Sequence, residues 1–222
     1  MCGRFALTVD PADLQENFPE FSFPPAYAPR YNIAPTQPIL ALPNDGTSEA
    51  TFFVWGLIPS WAKDPSIGSR LINARAETLG EKPAFRSAFR NRRCLIFADG
   101  FFEWQAQPGS KSKIPHFIRL KTGEPFAFAG LWEHWSAPDG SEVKSATIVT
   151  TSPNELMAKL HNRMPVILDH DAYTQWLDPT PRPAAELQNW LTPFPAERMA
   201  AYPVSTLVNR PENDRPEIVQ PA

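Results

Sequence analysis

Apolar positions in this chain come in short blocks rather than at helical spacing. Ile39–Leu42, Thr51–Trp55, Cys94–Ala98, Phe101–Gln105, His116–Leu120, Phe126–Leu131 and Ala146–Thr150 are brief β-branched or aromatic runs. Each is bounded by Gly, Pro or Asp, and together they predict seven strands. Asp99-Gly100, between two of these runs, reads as a two-residue hairpin turn. Helical signals are fewer. Pro11–Phe18 starts behind Asp10 as N-cap, with proline at its first position. Pro83–Arg90 is a short helix, and Ser152-Pro153-Asn154-Glu155 reads as a capping box opening a helix to about Lys159. Asp171–Leu177 and Ala184–Leu191 complete the set. The pattern predicts an α+β fold: a largely antiparallel sheet with short helices at its margins.

Proline modifies this picture. It occupies 26 of 222 positions, seven between Pro19 and Pro43 and nine between Pro179 and Pro221, about twice its usual ~5% share. Aromatics persist between these prolines, so the segments read as ordered, stiffened loops rather than disorder. With no repeat and no linker-like stretch, one domain over residues 2–222 is the simplest organisation.

Composition narrows the class. Two cysteines argue against a disulfide framework and fit a reducing compartment. Cys94 lies in an apolar run and reads as an inert core residue. The four histidines are scattered and no Cys-x-x-Cys occurs, so neither a metal site nor a cofactor is expected. No leader pattern or membrane-length apolar run is visible, which predicts a soluble, cytoplasmic protein, expected to be a monomer. Net charge is −3, yet residues 61–93 carry eight Lys/Arg against three acids. Such asymmetry marks either a nucleic-acid face or a solvated helix surface.

Four segments carry candidate chemistry. The chain opens Met1-Cys2-Gly3-Arg4, and removal of Met1 is expected because the second residue is small. Cys2 would then present an α-amine and a thiol on adjacent carbons, a pair that condenses with an aldehyde to a thiazolidine. A free amine titrates near ~7.7–8.0 and a free thiol near ~8.5, so a minor share of each is nucleophilic at neutral pH. Gly3 removes a side chain where a substrate must approach. In Asn73-Ala74-Arg75 an amide and a guanidinium share a face if the segment is extended. In Phe102-Glu103-Trp104 the glutamate points opposite to its aromatic neighbours and is a candidate proton carrier. His161-Asn162-Arg163 lies at an element end, where functional residues gather.

Read in order, Met1-Cys2-Gly3-Arg4-Phe5, Tyr31-Asn32-Ile33-Ala34-Pro35, Trp55-Gly56-Leu57-Ile58-Pro59-Ser60-Trp61, Asn73-Ala74-Arg75-Ala76-Glu77-Thr78, Ala98-Asp99-Gly100-Phe101-Phe102-Glu103-Trp104 and His161-Asn162-Arg163-Met164-Pro165 resemble the SOS-response-associated peptidase (SRAP) family. The resemblance spans Cys2 to about Val219. It implies a barrel-like β core and covalent capture of abasic sites in single-stranded DNA. Cys2 would be the crosslinking residue, Asn73 a positioning donor, and Glu103 and His161 the proton-handling groups. Gly3, Arg4, Arg75, Arg86 and Arg163 would meet the DNA, with Pro35 and Trp61 wedged against flanking bases. Some relatives have a second aromatic after Trp61, where this chain has Ala62. Two rival readings are an N-terminal-nucleophile cysteine peptidase and a noncovalent single-strand or modified-base binding module.

Overall fold

The computed structural model describes residues 2–222; the expectation about Met1 falls outside them. Among the described residues thirteen strands run in chain order. They are β1 (Phe5–Leu7), β2 (Arg30–Ile33), β3 (Pro38–Pro43), β4 (Thr51–Trp55), β5 (Asn73–Arg75), β6 (Arg93–Ala98), β7 (Gly100–Ala106), β8 (Lys113–Leu120), β9 (Phe126–Ser136), β10 (Glu142–Thr151), β11 (Met164–Pro165), β12 (Ile167–Leu168) and β13 (Met199–Pro203). The helices α1 (Pro11–Asn17), α2 (Arg86–Asn91), α3 (Tyr173–Trp176) and α4 (Ala184–Gln188) are all short.

Strands β10, β4, β3, β6 and β9 pair in that order, and β9 pairs back to β10 to close a five-stranded barrel. Closure removes the free edges that an open sheet would expose. Only β4 and the short β5 run parallel to β10; the other pairings are antiparallel. The fold is therefore α+β with a barrel core, as the pattern and the resemblance imply. A second sheet, ordered β13-β8-β7-β1-β2, packs against the barrel. Phe5 and Phe101 from this sheet meet Trp55 and Phe128 of the barrel edge-to-face, at ring separations of 5.0–6.0 Å. All four rings are fully buried, so the two sheets share one apolar interior.

The Asp99-Gly100 hairpin is not formed. β6 pairs with β3 and β9, β7 with β1 and β8, and the dipeptide is the crossing from barrel to second sheet. Asp99 instead accepts from the backbone of Thr8 (2.6 Å) and Val9 (3.2 Å), tying down the end of β1. Gly100 is required by proximity: an added Cβ would lie 2.1 Å from the Phe117 ring. The capping box at Ser152 also fails. Asn154, not Ser152, accepts the backbone N–H of Met157 (2.8 Å), and the predicted helix shrinks to a 3-10 turn, Met157–Lys159. Asp10 caps α1 as expected, accepting from Ala12 and Asp13.

The basic run at 61–93 is only partly a surface. Arg93 is wholly buried, donating to the carbonyls of Trp176, Arg90 and Asp178 with its guanidinium over the Trp176 ring. Arg92 pairs with the buried Glu133 at 2.8 Å. These two cations bind the barrel to its flanking helices, which leaves a smaller exposed positive face than the sequence suggested. Among the described residues no helix is long and apolar enough to cross a membrane.

Candidate active site

Residues 2–4 run into β1, which is hydrogen-bonded on one side to β2 and on the other to β7. Phe102 N–H donates to Arg4 O at 2.9 Å, so this pairing carries the N-terminal segment past Glu103. β5 enters from the barrel side, alongside β10. Its extended backbone sends Ala74 into the core and leaves Asn73 and Arg75 on the opposite face, as predicted. Asn73 Nδ2 donates to Cys2 O at 2.7 Å, joining barrel to second sheet at the N-terminus.

Cys2 is fully buried. Burial pushes its thiol well above the ordinary range, and the Glu103 carboxylate adds to the effect. The thiolate fraction expected of a free cysteine therefore does not apply, and the thiol stays protonated until a base takes its proton. Glu103 is itself buried, on the β7 face shared with Phe101 and opposite to Phe102 and Trp104. Glu103 and the Cys2 thiol thus interact within an apolar wall.

His161 follows the 3-10 turn, which Gln105 of β7 holds by donating to Lys159 O at 3.0 Å. Its Nδ1 accepts the backbone N–H of Arg163 at 3.0 Å. A neutral imidazole has one donor and one acceptor nitrogen, so this bond places the proton on Nε2. Cys2, Asn73 and Glu103 are thus brought together where the two sheets meet, and His161 follows a turn that β7 holds.

The candidate DNA-binding residues divide. Trp61 is 60% exposed and fills no core. Its loop is fastened at both ends. Gly56 (φ +132°) and Gly68 cross so closely that a Cβ on Gly56 would lie 2.4 Å from Gly68 O. Ala62 O accepts from Trp135 Nε1 at 2.7 Å. Pro35 lies in a neighbouring turn that Thr36 N–H ties to Trp55 O at 2.8 Å. Gly3 flanks Cys2, and Arg75 is exposed beside Asn73. Arg4 donates through Nη1 to Asn32 Oδ1 and Val208 O, both at 2.7 Å. Burial lowers its pKa. Arg163 is engaged by Glu77 through two bonds of 2.6 and 3.0 Å, and it also donates to Thr150 O. Arg86 stands exposed on the first turn of α2, which packs on β6 and β9.

The pattern of the SOS response associated peptidase (SRAP) family matches residues 1–211. The chain belongs to that family. The "abasic site processing protein" YoqW of Bacillus subtilis is 48% identical over 223 residues, covering 99% of each chain. The protein of the same description in Gallus gallus, HMCES, is 32% identical over 265 residues, covering all of this chain and 78% of its own. An X-ray structure from Bacteroides thetaiotaomicron superposes with a TM-score of 0.89 at 27% identity, over the whole of both chains. Within this SRAP chain, sequence reasoning overlooked Asn32 and Glu77, which hold Arg4 and Arg163. Both sit inside quoted motifs, but neither residue type signals that a guanidinium will reach it.

Proposed function

We propose that the protein captures abasic sites in single-stranded DNA as a thiazolidine crosslink through Cys2, once Met1 has been removed. The observation that carries the reading is the placement of Cys2: carbonyl held by Asn73, thiol buried and opposed by Glu103. The relatives described as abasic site processing proteins point the same way.

An abasic deoxyribose is mostly a closed hemiacetal, and opening it requires a proton to leave the C1′ hydroxyl and another to reach the ring oxygen. Glu103 is assigned this exchange. The Cys2 amine then adds to the C1′ aldehyde and expels water, giving an imine. Sulfur attacks the imine carbon while the thiol proton passes, through Glu103, to the imine nitrogen. The sum is aldehyde plus cysteine giving thiazolidine plus one water. His161, donating through Nε2, is assigned the departing hydroxyl, and Asn73 the opened sugar oxygen. Ring closure matters because a persisting imine acidifies C2′ and invites strand cleavage.

Arg4 and Arg75 are assigned to phosphates, and Pro35 and Trp61 to the flanking bases. Arg163 would meet a phosphate by exchanging Glu77 for it. The test is denaturing electrophoresis of the protein with a strand carrying one abasic site. A retarded band absent with Cys2→Ala is expected. Binding without such a band would mean a noncovalent module, and cleavage of unrelated peptides a protease.

A further inference from the structure

Asn32 is wholly buried, yet every polar atom of its side chain is engaged. Its Oδ1 accepts from Arg4 Nη1 at 2.7 Å. Its Nδ2 donates to the carbonyls of Asn213 (2.8 Å) and Arg210 (3.0 Å), with Val208 O at 3.4 Å. Arg4 Nη1 reaches the same Val208 carbonyl at 2.7 Å. The backbone N–H groups of Tyr31 and Asn32 donate to Asp214 Oδ1, and Asn213 Nδ2 donates back to Leu207 O. Residues 207–214 therefore form a strap wound around one amide, and the strap and the amide together grip one arginine. An amide is the side chain that offers an acceptor to a guanidinium and donors to carbonyls at once. Aspartate would repel the carbonyls, and leucine would leave all of them unmatched.

We propose that Asn32 is a positioning residue: with the C-terminal strap it holds Arg4 at a phosphate of the bound strand, setting affinity for DNA rather than the rate of bond formation. This rests on the proposed function, and it deepens that reading by making the C-terminal segment part of the DNA site. A flexible arginine must lose rotamer freedom to meet a phosphate, and the pre-formed grip spares that loss at binding.

The probe is a fluorescent single strand carrying a tetrahydrofuran abasic analogue, which has no aldehyde and so reports binding alone. Asn32→Ala is expected to weaken binding about tenfold, the size of one charge-assisted hydrogen bond. The slope of log affinity against log salt should become shallower by about 0.7, one phosphate contact on a single strand. Crosslinking to a true abasic strand at saturating DNA should keep its wild-type rate within about twofold. Because Asn32 acts through Arg4, the double variant Arg4→Ala/Asn32→Ala should bind no worse than Arg4→Ala. Should Asn32→Ala not fold, Asn213→Ala loosens the strap from its surface and should shift affinity and slope in the same direction. Unchanged affinity and slope, additive losses in the double variant, or loss of saturated rate without loss of affinity would each overturn the inference. If the wild type binds the analogue with these Asn32 effects but forms no adduct with the true abasic strand, the proposed chemistry fails and the Asn32 assignment stands.

Discussion

Trp61→Ala separates a DNA-facing aromatic from a structural one. Trp61 is 60% exposed, and its loop is secured by backbone contacts at Gly56, Gly68 and Ala62 rather than by the indole. Truncation should therefore change folding stability by no more than about 0.5 kcal/mol. The same truncation removes a base–aromatic stack of about 1–3 kcal/mol, a loss of roughly 5- to 150-fold in affinity for a single strand. Trp55 provides the contrast. It is fully buried, meets Phe5 edge-to-face at 5.0 Å and donates through Nε1 to Ile72 O. Trp55→Ala should cost about 3–5 kcal/mol of stability. Denaturant unfolding and fluorescence anisotropy with the tetrahydrofuran strand measure the two quantities. A Trp61→Ala protein that is markedly destabilised, or that binds the strand as tightly as wild type, would refute the assignment of Trp61 to the DNA face.

Other outcomes follow from the same geometry. Cys2→Ser should form an imine that borohydride traps, but no product that survives denaturation without it; a durable untrapped adduct would contradict ring closure by sulfur. Asn73→Ala should slow capture by the loss of one hydrogen bond, about 0.5–1.5 kcal/mol, and Asn73→Asp should slow it further by setting a carboxylate against the Cys2 carbonyl. Single-turnover rates order the three proteins, and an Asp variant as fast as wild type would count against the role of Asn73. Burial raises the thiols of both Cys2 and Cys94, so the unfolded chain releases protons first as pH rises. The stability these thiols contribute is complete below the ordinary thiol range, about 8.5, and declines above it. Unfolding midpoints should fall above that pH, with a gentler slope in Cys94→Ala; parallel slopes would contradict the account. Gly100→Ala forces a methyl group into the Phe117 ring and should cost about 1–3 kcal/mol in denaturant unfolding, so a fully stable variant would remove the reason given for that glycine.

The strands read directly from the sequence are those with their own apolar pattern. β4 follows the predicted Thr51–Trp55, and β6, β9 and β10 extend their predicted runs by one or more residues. β1, β2, β5 and β13 escaped notice because they are three to five residues long and owe their extension to a partner strand. The Asp99-Gly100 turn misled because the dipeptide signals a sharp reversal but not which sheet the chain enters next. Glu103 was placed correctly on the face opposite its aromatic neighbours, yet burial of that face comes from the barrel packed against it, a long-range fact. The engagement of Arg93 with Trp176 and Asp178, residues more than eighty positions away, is of the same kind. Local pattern identifies the chemical groups; which cations are spent on structure depends on contacts remote in sequence.

Capture depends on one bond-forming terminus, and intact mass spectrometry addresses it directly. Protein lacking Met1, incubated with a single strand carrying one abasic site, should give a species weighing protein plus strand less one water, stable to denaturant and absent with Cys2→Ala. The two unmodified masses alone, from protein shown to have lost Met1, would contradict it.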